Sequence, residues 1–289
     1  MIFGTLALIA ALTLPIPAEL RTGTGTESGA QMPGPPDVDP RHRAYDQMLD
    51  INVRDGLVYY RAVQGQRGAL GRYIGSLDLQ PAAFSALSRE DQMALLINAY
   101  NAIALQSVVQ NYPIEGRVST YPPKSIRQIP VVYERKHRVA GRSVSLDELE
   151  RWLIDEYKDA RVIFALGRGA LGGGRLKSEA YTGARLEEQL ADATREFVKR
   201  TGHFRIDRAA NAVVVSPLYS WREKDFAAGF GDKAGAEFKE RSALERAILA
   251  LTIDHLFPSE QAWLRENNFR MEFGQFDWRL NDLTGGRIN

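Results

Sequence analysis

One stretch constrains the fold of this chain more than any other. Met93 to Leu105 reads M-A-L-L-I-N-A-Y-N-A-I-A-L, which on a helix is apolar around nearly the whole circumference and must therefore be buried at the centre of a domain. Ser88 is placed to cap a helix from Arg89 to about Asn111, and Tyr112-Pro113 ends it. Asn98 and Asn101 stand at i, i+3 and so share a face. A buried carboxamide without partners costs about 1–3 kcal/mol. The two asparagines therefore either bond the backbone of an adjoining loop and fix its shape, or line a ligand site. Tyr100, on a different face, reads as core.

Around this helix the apolar periods alternate irregularly, which favours α+β over a regular βαβ wheel. The expected fold is a single α+β domain: a small mixed or antiparallel sheet around a buried central helix, with several peripheral helices. Residues 42–50 read as a short helix, Gly56–Tyr60 as a short strand, and Ala62–Leu77 as a helix weakened by Gly65, Gly68 and Gly71. Val131–Tyr133 and Arg138–Ala140 suggest a strand pair. Ser145-Leu146-Asp147-Glu148 is a capping box opening a helix to about Tyr157. Arg161–Leu166 is an apolar run of strand length and reads as a central strand. Thr182–Arg200 reads as a helix, Phe204–Ile206 with Ala212–Val215 as a hairpin, and Gly235–Leu256 as a second long helix. Ser259 caps a short helix through Arg265, and Phe269–Phe273 closes the chain as a strand.

Composition narrows the chemistry. The 289 residues carry no cysteine, which excludes disulfides, thiolate nucleophiles and cysteine-ligated zinc. Lys and Arg number 37 against 36 Asp and Glu, so no net field draws in nucleic acid or an anionic membrane. Residues 1–18, MIFGTLALIAALTLPIPA, are too short an apolar run to span a bilayer but suit a signal peptide cleaved near Ala18. The n-region lacks Lys or Arg, which leaves an uncleaved membrane anchor as the alternative. Residues 19–40, rich in Gly, Thr, Ser and Pro, read as a disordered linker. The folded domain is expected over 41–289, with no transmembrane span in the mature chain.

One loop and one glutamate could carry chemistry. In G-R-G-A-L-G-G-G-R-L-K-S, Gly167, Gly169 and Gly172 match the spacing of a dinucleotide fingerprint, but Gly172-Gly173-Gly174 would break the helix that fingerprint needs. A P-loop fails too, because Leu176 stands where glycine is required before Lys177-Ser178. What remains is a loop with exposed backbone N–H groups and three cations, Arg168, Arg175 and Lys177, suited to a carboxylate or phosphate. The bland alternative is a tight crossing with solvated cations. His42, His137, His203 and His255 lack metal-site spacing, so neither a metal nor another cofactor is expected. Glu150 is the candidate acid or base, since Glu148 is occupied by the capping box.

Several segments together resemble the domain of unknown function 547 family, from about Asp50 to Asn281. The pieces are D-G-L-V-Y-Y from Asp55, L-I-N-A-Y-N-A-I-A-L from Leu96, Tyr112-Pro113-Ile114, Ser125-Ile126, G-R-S-V-S-L-D-E-L-E from Gly141, F-A-L-G-R-G-A from Phe164, Ser216 with W-R-E-K-D-F from Trp221, and F-D-W-R-L-N from Phe276. The resemblance implies one α+β domain, often exported in bacteria, with no agreed activity. The family pattern carries a histidine before F-A-L, two cysteines and a proline in the following loop, and a histidine after I-E. This chain has Ile163, Arg168, Gly173, Gly174 and Arg151 at those positions. Any Cys/His-dependent activity of the family is therefore expected to be lost here.

The expected function is a non-catalytic exported domain, periplasmic or extracellular, that binds a small anion, a peptide or a protein partner beside the Gly/Arg loop. Asn98, Asn101, Arg168, Arg175 and Lys177 are the binding candidates. The alternative is a hydrolase or transferase without a thiol, with Glu150 as acid or base and Arg168 as anion stabiliser. A structural or envelope-associated role is the third reading. The sequence does not set the oligomeric state.

Overall fold

The computed structural model describes Met1 and residues 39–284. The expected signal peptide, and the linker apart from Asp39 and Pro40, lie outside the described residues. The described residues from Asp39 on belong to one compact unit.

Helix α1 (Arg43–Asn52) runs into a two-residue hairpin, β1 (Val53–Arg54) with β2 (Leu57–Val58). Asp55 and Gly56 turn it with φ of 51° and 79°, the left-handed pair that matches strand twist. The strand expected over Gly56–Tyr60 is therefore shorter, because Tyr60 already starts α2. Where one helix was expected over 62–77, two form, α2 (Tyr60–Gly65) and α3 (Arg67–Ser76), broken at Gln66. Helix α4 (Pro81–Ser85) follows, with proline in its first turn.

The central helix α5 (Arg89–Gln110) is capped by Ser88, whose hydroxyl accepts from the Asp91 N–H at 3.0 Å. Every residue from Met93 to Leu105 is buried. Helix α6 (Leu146–Tyr157) opens on the Ser145/Glu148 capping box with both arms formed. The strand pair before it is shifted from expectation. It is β3 (His137–Val139) with β4 (Arg142–Val144), turned by Ala140 and Gly141, while Val131 has φ of 50° inside a turn. A left-handed residue has no place in a strand.

The apolar run 161–166 is not a central strand but a single helical turn, α7 (Val162–Ala165). An apolar run without periodicity fits a buried strand or a buried helix equally well, and among the described residues no strand pairs with it. The N–H groups of Val162, Ile163 and Phe164 bond instead to the carbonyls of Asp159, Ala160 and Arg161. Its side chains join two cores: Val162 and Ala165 pack into the cluster around α5, whereas Ile163 and Phe164 pack into a second.

The second cluster holds the C-terminal half of α8 (Leu186–Val198), whose Leu186 and Leu190 face the first, with the hairpin β5 (Phe204–Asp207) and β6 (Ala212–Val215), α9 (Leu218–Trp221), α10 (Glu223–Phe230), α11 (Ala243–Thr252) and α12 (Pro258–Glu266). Strand β7 (Arg270–Phe273) adds in parallel to β6, giving a mixed sheet ordered β5-β6-β7. This sheet serves the second core; α5 is packed mainly by helices, with β3 also against it. The long helix expected over 235–256 is interrupted, because Ser242 and Glu245 form their own capping box and start α11 there. Helix α12 starts at Pro258, one residue ahead of the expected cap Ser259.

Candidate functional site

The two asparagines of α5 are both clamped to backbone. Asn98 donates to the Tyr181 carbonyl at 2.8 Å and accepts from the Tyr181 N–H at 2.9 Å. Asn101 donates to the Ala165 carbonyl and accepts from the Gly167 N–H, each at 2.9 Å. A carboxamide has a donor and an acceptor in one plane, which is what a pair of backbone groups needs. These asparagines hold both ends of the segment 165–181 against the central helix.

That segment does not expose a row of backbone donors. The N–H groups of Gly167, Ala170, Leu171, Gly172, Gly173 and Gly174 are all bonded, the first to Asn101 and the others to carbonyls of the loop itself or of Asp277 and Arg279. The glycines serve close approach: a Cβ on Gly174 would lie 1.9 Å from the Phe164 carbonyl oxygen. The three cations also separate. Arg168 pairs with Glu150 at 2.7 Å, Lys177 with Glu196 at 2.7 Å, and Arg175 lies 3.7 Å from Asp55. They belong to different surroundings and do not converge on one ligand.

What does converge lies around Arg168. This residue has φ of 51°, a left-handed backbone that side chains rarely adopt, and is 3% exposed. Its carbonyl accepts from the Tyr133 hydroxyl at 2.8 Å, and its Nη1 donates to Glu150 Oε2 at 2.7 Å and to the Tyr100 hydroxyl at 3.1 Å. The other Glu150 oxygen accepts from Arg222 Nε at 3.3 Å. One carboxylate thus sits between two guanidinium groups, contributed by α6, the loop after α7, and the residue between α9 and α10. Nε and Nη2 of Arg168 are buried without a hydrogen-bond partner.

Burial disfavours the Arg168 cation, yet Glu150, Tyr100 and Tyr133 more than offset it and hold its pKa above the ordinary value. Burial also pushes the Tyr100 and Tyr133 hydroxyls well up. An aromatic shelf flanks the ion pairs. Trp221, 46% exposed, stacks on Phe276 at 5.0 Å, and Phe276 lies 4.3 Å from Trp278. The Arg127 guanidinium sits over Tyr133 at 4.4 Å and Trp278 at 4.6 Å, its Nε also unpartnered.

Arg127, Arg222, Trp221, Tyr133 and Trp278 were not among the sequence candidates. The only signal was indirect, since Trp221-Arg222 and Trp278 stand in segments of the family resemblance. Tyr100 is core, as its position suggests, but its hydroxyl reaches the arginine. Among the described residues no group of three or more His, Asp or Glu side chains could hold a metal ion.

Fold and site together define an α+β domain in which one glutamate lies between two arginines beside the aromatic shelf of Trp221, Phe276 and Trp278. Residues 84–198 match the family model described as "Protein of unknown function, DUF547", and the match covers that stretch alone. It contains α5, α6, Glu150, Arg168 and the glycine-rich loop; Arg222 and the tryptophans lie beyond it. No curated protein and no solved structure matches the chain.

Proposed function

We propose that this chain is a non-catalytic binding domain, with Arg127 and Arg168 beside the Trp221–Phe276–Trp278 shelf receiving a small anionic ligand or an acidic peptide. One observation carries the reading. Arg168 is almost wholly buried and charged, yet two of its nitrogens lack an acceptor, and an unpaired buried donor costs about 1–3 kcal/mol until something accepts from it. An oxyanion seated against the shelf supplies that acceptor, and aromatic faces beside guanidinium groups suit a ring or peptide plane. Both Glu150 oxygens are already committed to arginines, which supports binding over acid–base work.

A thermal-shift screen of the whole chain against carboxylates, phosphates, acidic sugars and short acidic peptides tests this, because a ligand of the native state raises the melting temperature. A hit that is lost in Trp221→Ala and Arg127→Gln supports the proposal. No hit in any class, or hits unaffected by Arg168→Met, overturns it. The second reading, a thiol-free hydrolase or transferase, rests on Glu150 and Arg168 standing 2.7 Å apart, as an acid–base pair with an anion stabiliser would. Glu150→Gln separates the two, since it abolishes turnover but leaves anion binding in place.

We further propose that the domain acts outside the cytoplasm, periplasmic or secreted, which the apolar run of residues 2–14 followed by Pro15, Pro17 and Ala18 supports. Fractionation of cells expressing the whole chain, with the size of the mature product, distinguishes export from an uncleaved anchor.

A further inference from the structure

A pocket of about 450 Å³ opens between the residues after α8, the Leu171–Gly172 part of the loop, and residues 275–279. It shares only Phe276 with the aromatic shelf and contains none of Glu150, Arg168 and Arg222. Its volume is in the range of small-molecule sites.

Three features distinguish its lining. Arg200 donates to the carbonyls of Gly173 at 2.9 Å and Leu171 at 3.4 Å, its Nε is buried without a partner, and it makes no ion pair with any described carboxylate. The carbonyls orient the guanidinium without an ion pair to neutralise it; burial, with Arg175 nearby, lowers its pKa to about 10 against the weaker attraction of Glu196. His203 is 5% exposed and borders the pocket, with its ring stacked on Phe197 at 4.0 Å and neither nitrogen bonded to a described residue. Burial, reinforced by Arg200, lowers its pKa to about 3, so the neutral ring offers one donor and one acceptor. Ser216, 1% exposed, accepts from the Leu218 N–H at 3.3 Å and keeps its hydroxyl proton to give.

The wider charge balance points the same way. Lys199 and Arg279 line the pocket with Arg200, and Asp277, paired with Arg279 at 2.5 Å, is the one carboxylate among the lining residues. Two positive charges remain over. A half-buried guanidinium without a carboxylate, beside a buried, unpartnered imidazole, is an arrangement completed by an oxyanion.

We propose that this pocket binds a phosphate monoester: Arg200 and Lys199 meet the dianion, and His203 and Ser216 hydrogen-bond its oxygens or an adjacent hydroxyl. The space exceeds that of a bare phosphate, and Leu171 and Phe276 offer apolar surface to the carbon skeleton.

Calorimetric titration of the whole chain with inorganic phosphate at low ionic strength is the test. Saturable binding is expected, weakened about tenfold in Arg200→Gln, the loss of one charge-assisted contact. Lys199→Gln, at an exposed position, should weaken it about two- to fivefold. The distant Lys239→Gln should leave it unchanged. Absence of saturable binding overturns the proposal, as does a dissociation constant that neither pocket variant alters. Should Arg200→Gln fail to fold through loss of its bonds to the loop, the double variant Lys199→Gln/Arg279→Gln decides instead. It removes two of the lining cations through exposed side chains, and unchanged affinity in it equally overturns the site.

Discussion

Arg168 Nη1 and Glu150 Oε2 meet at 2.7 Å, with side chains 3% and 13% exposed, and Arg222 closes on the same carboxylate from the other side. Removing one member of a buried pair costs about 3–5 kcal/mol, because the remaining charge is left without its partner. Glu150→Leu leaves Arg168 without its carboxylate and Arg222 with only Asp225 at 4.0 Å, whereas Arg168→Met leaves one carboxylate that Arg222 still serves. Urea denaturation should therefore show Glu150→Leu as the more destabilised of the two. A double-mutant cycle should return a coupling energy well away from zero; additive losses would show that the pair contributes nothing beyond packing.

The asparagine clamps can be tested by shape-preserving removal. Asn98→Leu leaves the N–H and carbonyl of Tyr181 unpaired in the core, and Asn101→Leu does the same to Gly167 and Ala165. Each should lower stability by about 2–4 kcal/mol, two buried backbone groups losing their partners. Amide exchange should rise at Tyr181 in the first variant and at Gly167 in the second. Exchange that stays slow at both would mean the loops hold their shape without the clamp.

Two glycines should respond in opposite directions. Gly174→Ala drives a methyl group into the Phe164 carbonyl, 1.9 Å away, and should prevent folding or cost more than about 3 kcal/mol. Gly75, inside α3, has open space where a methyl group would stand, with nothing within 4 Å. Gly75→Ala should raise stability by about 0.5–1 kcal/mol, through better helix propensity and a less flexible unfolded chain. Melting temperatures of the two variants check both.

Stability should fall on mild acidification. Burial holds His42 neutral with its pKa lowered to about 4, and His203 with its pKa lowered to about 3. In the unfolded chain both titrate near about 6.5. Above that pH neither state binds the proton and nothing is lost. Below it the unfolded chain takes up protons that the native state refuses, so each histidine removes about 1.4 kcal/mol of stability per pH unit until its folded pKa is reached. Urea midpoints at pH 7, 6 and 5 measure the slope. His203→Phe, which keeps the stack on Phe197, should reduce it by one proton, and a flat profile between pH 6.5 and 5 would contradict the assignment.

Short-range signals in the sequence survive into the structure. The caps Ser88, Ser145 and its partner Glu148 act within four residues, and the all-round apolar face of α5 demands burial whatever surrounds it. The hairpin β5–β6 stands where its two short runs, 204–206 and 212–215, placed it. These features depend on neighbours along the chain, so the chain alone determines them.

The rest depended on residues brought together from far apart. The run 161–166 became a helical turn because no strand among the described residues pairs with it, and the strand before α6 slipped to 137–139 because Ala140 and Gly141 could make the turn. Arg168 was legible as a cation of the loop, but its partners were not: Glu150 is 18 residues away, Tyr100 is 68, and Arg222 is 72 from Glu150. Sequence therefore determined which segments are buried and where the capped helices α5 and α6 start. Tertiary packing decided which acid each cation meets, since ion-pair partners are chosen by distance in space and desolvation, and neither is written in local spacing.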